Sequence, residues 1–157
     1  MRQYITYIKY VLVVFIMFFI FLDLRGDSLS DAQITEVVEA VNKVSGFAEI
    51  PQAENRTVKR FYGLNPSDYE GVVLYAPQDN MDVHELLIVK VKDISQNEMV
   101  EAAIQERLDT QLTSFEGYGA EQVALLKKHV LDVKGNYIFF MVGENTEEAH
   151  QAFLDSL

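Results

Sequence analysis

The chain contains no cysteine. That absence excludes disulfides, thiolate catalysis and cysteine-ligated zinc. It also excludes a lipoprotein anchor, whose acylation needs a thiol, so the fold must hold by packing alone. Histidine is scarce: His84, His129 and His150 are the only three. None stands at i, i+4 or within H-E-x-x-H, so no metalloprotease motif is present. No serine sits in G-x-S-x-G, and no glycine-rich phosphate loop occurs. Positive charge is short as well. Residues 23–157 carry 11 Lys and Arg against 24 Asp and Glu, a net charge of −13. Nucleic acid and anionic lipid surfaces both require positive charge, so neither is an expected partner. The acidic field suits solubility, cationic partners or divalent cations.

What is present begins with the longest apolar run. Every residue from Tyr10 to Leu22 is apolar or aromatic, and only Lys9 interrupts a largely apolar span that starts at Tyr4. Nineteen residues from Tyr4 to Leu22 make roughly 28 Å of helix, close to a bilayer core of about 30 Å. Lys9 lies near the start, where its ammonium can snorkel to the headgroups. Arg2 and Lys9 precede the core, while Asp23, Asp27 and Asp31 follow it with Arg25. The distribution of basic residues puts the N-terminus in the cytoplasm and the C-terminal domain outside. A cleaved secretory signal is the rival, with Gly26-Asp27-Ser28 as the cleavage region. Asp23, Arg25 and the lack of Ala-x-Ala favour the uncleaved anchor. The expected organisation is therefore a transmembrane helix over 1–22, a polar linker over 23–29 and one extracytoplasmic domain over 30–157.

Within that domain, Ser30 and Gln33 have capping-box spacing. Ile34, Val37, Val38, Val41 and Val44 form the apolar stripe of a first helix that Gly46 stops. Strands are predicted over 58–62, 71–75 and 85–92. In the last of these Ile88 and its Val neighbours face inward, while Lys90 and Lys92 face water. Ser95 and Glu98 suggest a second capping box, starting a long helix. Its buried face carries Met99, Val100, Ala103, Ile104, Leu108, Leu112 and Phe115, and Arg107 is among its solvent-facing residues. A short helix follows over 120–128. Strands over 130–134 and 137–142 are joined by a Gly135-Asn136 hairpin turn. A last helix from Thr146 turns Ala149, Phe153 and Leu157 inward. The order α-β-β-β-α-α-β-β-α predicts an α+β domain. A mainly antiparallel sheet of about five strands is expected, with helices packed mainly on one face.

Candidate sites are few. Asp79, Asn80 and Asp82 place oxygen ligands in one loop, but not at EF-hand spacing, and the required glycine and closing glutamate are missing. In Phe115-Glu116-Gly117-Tyr118-Gly119, Phe115 and Tyr118 either form an exposed aromatic turn for a partner or close the core behind a helix end. Asn55-Arg56-Thr57 matches a three-residue glycosylation sequon that is common by chance. The abundant carboxylates single out no acid/base pair.

Several of these residues carry a family resemblance. They are Arg107 and Gln111 on the long helix, Ser114-Phe115-Glu116-Gly117-Tyr118, Glu121-Gln122-Val123, Lys134-Gly135-Asn136-Tyr137 before an apolar strand, and Ala152-Phe153 on the closing helix. Over 105–157 the chain resembles a bacterial domain-of-unknown-function family, number 4358, of clostridial-type Gram-positive anaerobes. The resemblance implies a small exported domain behind a membrane segment or lipoprotein signal, and it implies no activity. This chain departs from the lipoprotein members in lacking their cysteine. The expected function is a non-enzymatic binding module at the bacterial envelope. It is held by residues 4–22, takes no cofactor, does not bind nucleic acid, and meets a partner through Asp79, Asn80, Asp82, Phe115 and Tyr118. The alternatives are a metal-assisted hydrolase of envelope material, built from distant histidines and carboxylates, and a small-molecule or cation sensor with a preformed pocket.

Overall fold

The computed structural model describes residues 9–13, 15–17 and 29–157. Residues 9–13 and 15–17 are helical, and the apolar side chains from Tyr10 to Val13 and Phe15 to Met17 are exposed. Among the described residues no helix is long and apolar enough to cross a membrane. Most of the expected span over 4–22, the linker up to Ser28 and the alternative cleavage region lie outside the described residues.

From Ser30 onward the chain is an α+β domain. Its helices are α1 (Ile34–Ser45), α2 (Asn55–Tyr62), α3 (Asn97–Phe115), α4 (Ala120–Leu126) and α5 (Thr146–Asp155). Its strands are β1 (Gly71–Tyr75), β2 (Glu85–Lys90), β3 (Val130–Lys134) and β4 (Tyr137–Val142). They form one antiparallel sheet in the order β1-β2-β4-β3. The sheet has four strands rather than five, because residues 58–62 belong to α2. Val58 and Tyr62 are four apart, so a helix puts both on one face, and both are buried. Gly63, at φ 67°, then ends the helix.

The layering also differs from the expectation of helices mainly on one face. Strands β2 and β4 are buried at every position, and successive side chains point to opposite faces. Leu87, Val89, Ile138, Phe140 and Val142 face α2, α3 and α4, packing with Val58, Val100, Ile104, Leu108 and Leu126. Leu86, Ile88, Phe139 and Met141 face α1 and α5, packing with Val37, Val38, Val41, Ala149 and Phe153. A sheet apolar on both faces needs cover on both, and the result is a three-layer sandwich. Lys90 is buried rather than solvent-facing. Its ammonium meets Glu70 at 2.7 Å, donates to the Ala32 carbonyl at 3.0 Å and lies 5.6 Å from the Tyr137 ring centroid.

The expected helix starts shift too. Helix α1 begins at Ile34 with Gln33 as N-cap, and Ser30 has a different job. Its backbone N–H donates to Asn136 Oδ1 at 2.8 Å, and its carbonyl accepts from Asn136 Nδ2 at 3.1 Å. Its hydroxyl donates to the Leu157 carbonyl. At α3 the capping box is Asp93 with Gln96, on a 3-10 turn (Ile94–Gln96) that leads into the helix. Ser95 donates its backbone N–H to Asp93 rather than capping. In the β3–β4 hairpin only Gly135 takes positive φ, 57°, as a II′ rather than a I′ turn requires.

Phe153 is fully buried and stacks on Phe139 at 5.0 Å between centroids. Phe153→Ala is expected to cost about 3–5 kcal/mol, measured by urea unfolding of the chain from residue 29 onward.

Candidate interaction surface

Two of the segments singled out in the sequence meet at one end of the sheet. The first is the elbow between α3 and α4. Helix α3 ends at Phe115; Gly117 takes φ 89°, and α4 starts at Ala120. The backbone N–H groups of Tyr118 and Gly119 both return to the Phe115 carbonyl, at 3.3 and 2.9 Å. The structure splits the aromatic pair. Phe115 is buried, whereas Tyr118 is 66% exposed, and their ring centroids are 5.7 Å apart. Gly119 permits the tight turn, since a Cβ there would lie 2.6 Å from Phe115 Cδ1.

The elbow encloses an open concavity of ≈ 530 Å³ lined by Leu112, Phe115, Glu116, Tyr118, Val123 and Lys127, among others. Leu112 and Val123 pack on the core cluster that contains Phe115, so the floor is apolar and backed by solid packing.

The second segment is the Asp79–Asp82 loop. Asp79 Oδ1 accepts the backbone N–H groups of Met81 at 2.7 Å and Asp82 at 3.0 Å. Asp82 accepts from the Gln78 and His84 backbones, and its Oδ1 lies 2.6 Å from His84 Nδ1. Asn80 is exposed, and so is Met81. These carboxylates shape their own loop. Gln122 on α4 donates to the Met81 carbonyl at 3.1 Å, which fastens the loop to the elbow's second helix. All five candidate residues therefore lie at one pole of the sheet, with Phe115 serving as floor rather than exposed contact.

Beneath this pole lies a cluster the sequence did not announce. Glu85 opens β2 and is almost fully buried. It accepts a hydrogen bond from the Tyr62 hydroxyl and pairs with Arg107 Nη2 at 2.9 Å. Arg107 was expected in solvent, but it turns inward, with its guanidinium carbon 3.9 Å from the Phe61 ring centroid. Burial pushes the Glu85 carboxyl above its ordinary value; Arg107 and the Tyr62 hydroxyl pull the other way, and nearby Asp82 adds to the rise. Burial and the Glu85 charge together hold Tyr62 well above the usual phenol range. The available signals were a glutamate heading the apolar run of β2 and Arg107 among the residues carrying the family resemblance. Met99, expected to be buried, is exposed instead.

The three histidines have separate partners. His84 pairs with Asp82. His150 Nε2 lies 2.7 Å from Asp132 Oδ2, and His129 Nδ1 lies 2.8 Å from the Leu126 carbonyl. Among the described residues, no three His, Asp or Glu side chains converge as metal ligands.

Fold and surface together define a small three-layer α+β domain with an open apolar elbow at one end. The chain belongs to the family described as a domain of unknown function (DUF4358), which matches residues 32–143. The match runs from just before α1 to just after β4, and so contains both the loop and the elbow. No curated protein and no solved structure matches the chain.

Two outcomes test this electrostatic arrangement. Arg107→Ala leaves Glu85 buried without its cation and is expected to cost about 3–5 kcal/mol. The triple change Tyr62→Phe, Glu85→Leu and Arg107→Met, which also removes the hydroxyl that donates to Glu85, is expected to recover most of that loss in the same urea unfolding measurement. Asp82 is the pH probe. Partial burial acts to raise its pKa, but hydrogen bonds from His84 and Gln78 and the nearby His84 charge hold it below the ordinary value. A carboxylate depressed in the folded state stabilises above its unfolded pKa of about 3.9, and that stability is lost as pH falls through the folded value. The gap in urea midpoint between the native chain and Asp82→Asn is therefore expected at pH 7 and closes as pH falls below about 4.

Proposed function

We propose that this chain is a membrane-tethered, extracytoplasmic binding module of the bacterial envelope, without catalysis of its own. The tether is the apolar span over 4–22, with the N-terminus cytoplasmic. The single observation that carries the binding role is the elbow: an open, apolar-floored concavity with exposed Tyr118 on its rim and exposed Met81 on the adjoining loop. Aromatic and methionine side chains are enriched where proteins meet partners.

The position of the elbow supports the same reading. The chain enters the domain at Ser30, which is held by Asn136 of the β3–β4 hairpin and by Leu157. That hairpin adjoins the Lys90 end of β2 and the start of α3, where Asn97 donates to the Gly135 carbonyl. The Asp79–Asp82 loop precedes the opposite end of β2. Helix α3 has 19 residues, about 28 Å at 1.5 Å per residue, and it carries the elbow to that far end. A domain tethered at Ser30 presents its elbow away from the membrane, within reach of partners.

The absence of native cysteine makes a clean test available. Asn80→Cys, Tyr118→Cys and, as a control on α5, Glu148→Cys are each modified in intact cells with a membrane-impermeant maleimide photo-crosslinker. Labelling before lysis is expected at all three, with a discrete crosslinked protein from residues 80 and 118 alone. Labelling only after lysis would refute the orientation. Identical crosslinks from all three positions, or none from residues 80 and 118, would refute the binding role.

A further inference from the structure

Resting on the binding-module reading, we propose that the elbow takes a cationic polypeptide segment of a partner protein. An aliphatic or aromatic side chain of that segment seats against Leu112, Phe115 and Val123, and its basic side chains lie along the outer face of α3. Three features of the surface carry this.

The elbow concavity is not isolated. The exposed outer face of α3 from Ala102 to Ser114, carrying Glu106 and Asp109, adjoins it and shares Thr113 with its lining. Elbow and helix face form one continuous surface that follows the helix for about 20 Å, at 1.5 Å per residue. That suits an extended or helical segment rather than a small solute.

This surface also has a one-sided charge. Glu106, Asp109 and Glu116 line it, against Lys127 alone. None of the three acids takes part in an ion pair among the described residues. Arg107, the one cation within α3, points to the other side and is committed to Glu85. The net charge of −13 over residues 23–157 adds a long-range field of the same sign, which speeds encounter with a basic partner and repels acidic ones.

The apolar floor then separates a polypeptide from a bare cation. A divalent ion needs several converging oxygen ligands, and here the carboxylates are spread along a helix with Thr110, Thr113 and Ser114 between them. A basic segment with an apolar anchor satisfies both parts of the surface: the anchor is buried in the elbow, and the charges stay along the solvated face of α3.

The test uses the full chain in phosphatidylcholine nanodiscs, with empty nanodiscs subtracted. The probe is a fluorescein-labelled amphipathic peptide of leucine and lysine. Two analogues accompany it, one with glutamate for lysine and one with serine for leucine. The leucine–lysine peptide is expected to bind and both analogues to fail. The combined change Glu106→Lys, Asp109→Lys and Glu116→Lys should weaken binding at least about tenfold, and Tyr118→Ala should weaken it as well. An equal charge change on the opposite face of the sheet, Glu36→Lys, Glu147→Lys and Glu148→Lys, should alter affinity by no more than about twofold. Equal loss from both triple variants, or equal binding of the serine analogue, would reduce the effect to bulk charge and overturn the proposal. No peptide binding, with a protein still crosslinked from residues 80 and 118, would overturn the cationic segment and leave the binding module standing. Failure of both would remove both.

Discussion

The pairing of β2 with β4 is the constraint on which the rest of this domain depends. Both strands are buried along their whole length and lie side by side at the centre of the sheet. Neither face of that pair can meet water without exposing leucine, isoleucine or phenylalanine. At about 25 cal/mol per Å² of apolar surface, leaving either side bare would forfeit much of the core. Helices must therefore cover both sides. Helices α1 and α5 close one face and α2, α3 and α4 the other. The shorter, half-exposed strands β1 and β3 are left as edges.

That layering fixes the two poles. The β3–β4 hairpin is at one end, where Asn136 grips Ser30 and the Ser30 hydroxyl reaches Leu157. The loop before β2 and the turn after α3 fall together at the other end, because α3 spans the sheet and passes beyond Glu85. Gln122 makes the join between them. The surface proposed to bind is thus a product of packing: its floor is core, and only its rim is loop. Glu85 lies directly beneath, held by Arg107 and Tyr62. A buried ion pair gives little net stability over a hydrophobic replacement, but breaking it by removing one partner is costly. Its consequence here is positional. It commits Arg107 to the inner side of α3 and leaves the outer face of that helix acidic.

Much was legible along the chain because local periodicity and turn chemistry are local facts. The buried Val37, Val38 and Val41 of α1 (Val44, expected beside them, is exposed), the buried positions Val100, Ile104 and Leu108 of α3, the Gly135-Asn136 hairpin and the inward Ala149 and Phe153 of α5 all follow from spacing. Residues 58–62 failed for a related reason. Five residues with β-branched and aromatic members suit a strand and a helix alike, and only the burial of Val58 with Tyr62 chooses the helix. The two-sided cover of the sheet had a signal in the unbroken apolar runs of β2 and β4.

The acidic, cysteine-free character of the chain, the kinds of most of its elements and the apolar run before them are legible in the residues alone, since each depends on composition or on neighbours within a few residues. Tertiary structure alone decided which distant residues meet. It buried Lys90 against Glu70, turned Arg107 onto Glu85 from 22 positions away, sent Phe115 inward and Tyr118 outward, and joined the Asp79–Asp82 loop to α4. Those outcomes depend on how helices dock on a sheet, and spacing along the chain carries no record of that docking.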